Sequence, residues 1–202
     1  MKQQQKYGFL CALVVLGGLL FLASCNATDV DVPAKAPVVS APPANTTYPM
    51  PPVNTTASIS NMGWELSDGK HTLFSDYKGK VLVLDFYATW CNPCRKSIPH
   101  LISLQKKYET QGLQVIGLNV GGPGDEERVP DFAREMGIHY PLAIPDEELV
   151  TFLLSDSDGI PQTFIFDREG VLVDRLIGFG PSSGAQIDEA VESALKTTTT
   201  NP

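Results

Sequence analysis

Apolar residues in this chain fall into short runs separated by glycine, proline and small polar residues, the punctuation of alternating strands and helices. Residues 81–86, Val-Leu-Val-Leu-Asp-Phe, are rich in β-branched and large side chains and predict a buried strand. Residues 113–120 predict a second. Between them, residues 95–108 place Ile98, Leu101, Ile102 and Leu104 on roughly one side of a helix, and Gly112 ends it as a C′ residue. Trp64-Glu65-Leu66 and His71-Thr72-Leu73-Phe74 flank the turn Ser67-Asp68-Gly69-Lys70 and predict a hairpin. Residues 126–137 predict a helix with Val129, Phe132, Ala133 and Met136 inward, and residues 140–144 a short strand. Asp146 is expected to cap a helix running to about Leu154, with Glu147 and Glu148 in its favourable first turn. Residues 159–167 predict a strand with Pro161 at its mouth, where a missing N–H is tolerated. Arg168-Glu169-Gly170 turns the chain into residues 171–178, an antiparallel partner. A last helix starts at Ser182 or Ser183 and turns Ile187, Ala190, Val191 and Leu195 inward. This order implies an α/β fold, a mixed central sheet with helices on both faces and an N-terminal β-hairpin.

The two ends read differently. Lys2 and Lys6 precede an apolar segment, residues 9–22, as in an export signal. It ends in Leu22-Ala23-Ser24-Cys25, which resembles a bacterial lipobox. The expectation is a signal peptide at residues 1–24 and a lipid on Cys25. An ordinary cleaved signal with a stray cysteine and an uncleaved anchor are the alternatives. Residues 25–62 are rich in proline, alanine, threonine, valine and asparagine without periodicity, and predict a disordered stalk. The folded domain is expected at residues 63–196, with a frayed threonine-rich tail at 197–202.

Cysteine count then changes the picture. Of four cysteines, Cys11 leaves with a signal peptide and Cys25 is the lipidation site, so Cys91 and Cys94 remain as thiols. They are two residues apart where a strand turns into a helix. The first is expected at the helix N-terminus, where free N–H groups and the helix dipole favour a thiolate, the reactive form of the thiol. That pattern points to thiol–disulfide exchange. An inert Cys91–Cys94 staple is the bland alternative, and so short a loop gives it little entropic value. No second Cys pair exists, and His71, His100 and His139 lack ligand spacing, so no metal site and no cofactor are expected. Gly121-Gly122-Pro123-Gly124 lacks the spacing and lysine of a phosphate loop and reads as a connector. The net charge is −8, and −10 without Lys2 and Lys6, so nucleic acid is not an expected partner.

Three stretches together carry a family resemblance: Tyr77-Lys78-Gly79-Lys80, Phe86-Tyr87-Ala88-Thr89-Trp90-Cys91-Asn92-Pro93-Cys94-Arg95 and Gly159-Ile160-Pro161-Gln162-Thr163-Phe164. Residues 63–195 resemble the thioredoxin superfamily, most closely its membrane-tethered TlpA/ResA-like thiol–disulfide oxidoreductases. The resemblance implies a thioredoxin-like fold with a central α-β insert at residues 121–144. It implies a cis Pro161 opposite the dithiol and an Ile160 backbone that pairs with an incoming peptide. It also implies protein disulfide or dithiol substrates, a membrane electron donor of the thiol–disulfide type, a role such as cytochrome c maturation and a place on the extracytoplasmic face of a bacterial membrane. A monomer is expected. Two positions depart from the family: Ser97 stands where many members have Glu, and Asp85 where many have Asn.

The roles expected are these. Cys91, exposed at the helix start, attacks the partner's sulfur, and the more buried Cys94 resolves the mixed disulfide. Asp85, in an apolar strand, has a raised pKa and serves as proton acceptor or donor for Cys94, or else is a hydrogen-bonded structural residue. Trp90 forms one wall of the peptide-contact surface, or else packs in the core. Arg95 and Lys96 add positive potential near Cys91, or are solvated surface charges. Two rivals stand beside this reading: a thiol peroxidase, from the Thr89-Trp90-Cys91 echo, and a non-enzymatic chaperone that holds peptides in the Ile160-Pro161 groove.

Overall fold

A computed structural model describes residues 59–197. The expected signal peptide, Cys25, most of the stalk and the end of the tail lie outside the described residues. The chain runs β1 (Gly63–Leu66), β2 (His71–Leu73), β3 (Val81–Tyr87), α1 (Asn92–Tyr108), β4 (Leu113–Asn119), α2 (Val129–Met136), β5 (Leu142–Pro145), α3 (Glu147–Leu154), β6 (Gln162–Phe166), β7 (Leu172–Ile177) and α4 (Ser183–Lys196). The strands form one sheet in the order β2-β1-β5-β4-β3-β6-β7. β3 pairs parallel with β4 and antiparallel with β6, so the sheet is mixed.

Alternation along β3 divides the core. Val81, Val83 and Tyr87 pack with Ile98, Leu101 and Leu104 of α1 and Ile187 and Val191 of α4. Leu82, Leu84 and Phe86 face the other way, against Leu149 and Leu153 of α3 and against Trp64 and Phe74. A strand buried on both faces must be apolar throughout, which is why residues 81–87 carry no alternating polar set. The lone exception is Asp85, 1% exposed. Ile59, which the sequence places in the stalk, is fully buried with Trp64 and Phe74, so the packed region reaches back at least that far.

Several local expectations shift. The helix expected over 126–137 begins as a 3-10 turn, Glu126–Arg128, and becomes α-helical at Val129. Pro130 explains this: it has no N–H to bond the Glu126 carbonyl. α1 ends at Tyr108, and a 3-10 turn, Glu109–Gln111, precedes Gly112, whose φ of 93° suits glycine. Asp146 precedes α3 but makes no side-chain cap. Its carboxylate instead accepts Gly63 N–H at 2.9 Å and lies 3.0 Å from His71 Nε2, tying the β1–β2 hairpin to α3. The fifth strand begins at Leu142 and not at Tyr140. Tyr140 is buried beside Gly117, where a Cβ would clash with Leu142 and crowd the Tyr87 ring.

Candidate functional site

β3 delivers the chain to the site and α1 receives it. Cys91 is the N-cap of α1, with extended φ and ψ of −79° and 105°. Its Sγ accepts the Cys94 N–H at 3.2 Å, and Arg95 N–H donates to its carbonyl at 3.1 Å. Pro93 sits in the first turn, where its missing N–H leaves no orphan donor. Cys91 and Cys94 are joined by a disulfide, Cα to Cα 5.3 Å. The sulfur that would become the thiolate therefore already faces an amide donor, the Cys94 N–H, at a helix N-terminus.

The order of accessibility follows the expected order of attack, but both cysteines are buried: Cys91 is 4% exposed and Cys94 0%. Cys91 is not the open surface thiol the sequence predicts. Trp90 beside it is 59% exposed and is no part of the core. Its Nε1–H donates to the Gly121 carbonyl at 3.3 Å.

The second key stretch faces the first. The Ile160–Pro161 peptide bond is cis. Cys91 Sγ lies 3.8 Å from the Ile160 carbonyl oxygen, so residues 69 apart in sequence meet at one point. The loop before Pro161 is held by residues the sequence did not single out for this. Buried Gln162 donates through Nε2 to the carbonyls of Ser157 and Gly159, both at 2.8 Å. Arg175 of β7 donates to both Asp156 oxygens at 2.7 and 2.8 Å and to Gln162 Oε1 at 2.6 Å, over the Phe164 ring. No periodicity reveals such a clamp, because its members belong to three separate elements.

Asp85 shares the sheet face of Val83 and Tyr87, residues of the core cluster that also holds Cys91 and Cys94. Its Oδ1 accepts the Thr163 hydroxyl at 2.8 Å, and its Oδ2 is buried without a partner. Burial pushes its carboxyl up from the ordinary 3.8 to about 7, and the Thr163 bond only partly opposes this. Ser97 is fully buried and donates to the Cys94 carbonyl at 2.9 Å. Arg95 reaches across to α2: its guanidinium meets Glu135 at 2.6 Å and lies over Phe132. Among the described residues, no group of three or more His, Cys, Asp or Glu could hold a metal ion.

The chain resembles known proteins over more than half of its length. The model of the AhpC/TSA family matches residues 55–175, more than half of the chain. The chain belongs to the AhpC/TSA family. Within this family, it is similar to Thiol-disulfide oxidoreductase ResA of Bacillus subtilis (strain 168), 31% identical over 118 residues, 58% of this chain and 64% of that protein. The ResA of Bacillus thuringiensis (strain Al Hakam) is 31% identical over 131 residues, 64% of this chain and 69% of that protein. The chain thus spans about two thirds of these relatives. Among solved structures, a thiol:disulfide interchange protein of the thioredoxin family from Chlorobium tepidum TLS superposes with a TM-score of 0.58 at 30% identity. That match covers 68% of this chain and 96% of the other. This AhpC/TSA member has the thioredoxin-like fold and is a thiol–disulfide oxidoreductase.

Proposed function

We propose that this protein reduces disulfides of exported proteins, working as a reductant on the extracytoplasmic side of a bacterial membrane. The observation that carries the reading is the meeting of Cys91, at the start of α1, with the carbonyl of Ile160 before cis Pro161. That carbonyl sits where a peptide laid along the Ile160-Pro161 edge brings its own disulfide to Cys91. In the dithiol form, the Cys91 thiolate attacks one substrate sulfur, and the other leaves as a thiolate. A mixed disulfide then joins Cys91 to the substrate. Cys94 gives its proton to Asp85 and attacks Cys91 Sγ, the mixed bond breaks, and the reduced substrate departs. Two electrons move from the protein to the substrate, and the Cys91–Cys94 disulfide remains.

The resting disulfide must be reduced again, so a membrane thiol–disulfide donor is the implied partner. Lipidated Cys25 would keep the domain beside it. Exported substrates such as apo-cytochrome c fit the resemblance to the ResA group. The peroxidase reading loses ground to one contact: the Thr89 hydroxyl donates to Asp125 and so is engaged away from any peroxide at Cys91.

The deciding experiment is the midpoint potential of the Cys91–Cys94 couple in defined thiol buffers. A value near about −270 mV supports the reductant, whereas one near about −120 mV makes the protein an oxidant. Client binding that survives loss of both cysteines, with no reversible couple, would make it a peptide-binding module instead.

A further inference from the structure

The glycine-rich loop after β4 takes no part in the exchange steps, yet it closes on the residues just before Cys91. Asp125, at the end of that loop, is 3% exposed. Its carboxylate accepts the Thr89 N–H at 3.0 Å, the Thr89 hydroxyl, and Asn119 Nδ2–H at 2.8 Å. Burial alone would raise its pKa, but the bonds from Thr89 and Asn119 outweigh burial and hold it below the ordinary value. The carboxylate is therefore an anion at neutral pH, and a buried anion is tolerated only when donors surround it.

Gly121 completes the arrangement. Its N–H donates to Asn119 Oδ1 at 3.2 Å, and its carbonyl accepts the Trp90 indole N–H at 3.3 Å. A Cβ here would stand 2.0 Å from Asp125 Oδ2, so only glycine lets the backbone approach this closely. Thr89 and Trp90 are thus both gripped by one loop, 36 and 31 residues further along. The grip fixes an indole that is otherwise mostly in solvent.

We propose that Asp125 is a positioning residue that sets the Trp90 indole and so the platform on which a protein substrate lies beside Cys91. This rests on the oxidoreductase reading given above. An aromatic side chain held in place before binding gives contact area with little ordering left to do, so a peptide gains from it. A small disulfide, which needs only the sulfur of Cys91, gains little. Asp125 therefore acts on the choice between substrates.

The test compares Asp125→Asn with the unaltered protein in rates toward a peptide disulfide and toward glutathione disulfide, each starting from the dithiol form. The ratio of the two kcat/KM values is expected to fall about tenfold, through the KM for the peptide. Asn keeps the shape but can accept through only one oxygen. Thr89→Val removes the hydroxyl donor and keeps the carboxylate, and is expected to lower the ratio about threefold. In both variants, fluorescence anisotropy decay should show faster local motion of Trp90, since the other tryptophan, Trp64, is fully buried. A ratio within about twofold of the unaltered protein in both variants, or an unchanged indole, overturns the proposal. Failure of the unaltered protein to exchange with either disulfide sinks the oxidoreductase reading and this one with it, so the two failures are told apart.

Discussion

Asp85 stays protonated to unusually high pH because it lies in a dry layer of the sheet. Folding raises its pKa from 3.8 to about 7. The stability linked to this group is whole below about pH 4, falls as pH rises through 7, and is flat above. Removing the ionisable group should therefore help most in base. Asp85→Asn is expected to stabilise the disulfide form at pH 8 by an amount on the order of 4 kcal/mol, and to change little near pH 4. Urea unfolding at the two pH values checks this. The same substitution should slow the attack of Cys94 on a trapped mixed disulfide, with a changed pH profile between about 6 and 9. An unaltered profile would leave Asp85 a structural residue only.

Two elements owe their placement to contacts no local pattern could show. Phe132 of α2 stacks on Tyr87 of β3, ring centroids 5.6 Å apart, and Arg95 of α1 also lies over the Phe132 ring. Phe132→Ala should cost about 3–5 kcal/mol, read from the urea midpoint, because α2 has few other buried anchors. The loop before Pro161 depends on Arg175. Arg175→Met should cost about 2 kcal/mol at neutral pH. Arg175 holds the Asp156 carboxyl below its ordinary value, so this part of the stability is present above the unfolded pKa and lost as pH falls through the acid range. The gap between Arg175→Met and the unaltered protein should then narrow below about pH 4. The buried strands, the hairpins and the dithiol at the start of α1 were legible because each is written in neighbouring residues: apolar runs, turn glycines, a two-residue cysteine spacing. Asp125, Gln162 and Arg175 were not, because each works through partners that only the sheet order brings near. Asp146 shows the same limit, since its sequence neighbours suggest a cap and its real partners are Gly63 and His71. The glycine run before Asp125 lacks phosphate-loop spacing and reads as a connector, so it gave no sign of the close approach of Gly121 to Asp125.

At the scale of the whole domain, the packed unit starts earlier than composition suggests. Met62 and Ser60 carbonyls accept the N–H groups of Phe74 and Ser75, and Ile59 fills the core beside them. A chain beginning at Gly63 should be less stable than one beginning at Ile59 by about 2–3 kcal/mol, most of it the buried isoleucine. Urea midpoints of the two truncated chains test this, and equal midpoints would place the boundary back at residue 63. Ser60 also lines a cavity of about 120 Å³ with Leu82, Asp167 and Gly170, at the end of β3 where that strand begins. The dithiol lies past the other end of β3, a strand of seven residues and about 20 Å. Ser60 and its neighbours therefore pack at one pole of the domain, and the chemistry belongs to the other. A molecule that reaches the dithiol therefore meets the pole of the domain opposite the one where Ile59 and Ser60 are packed.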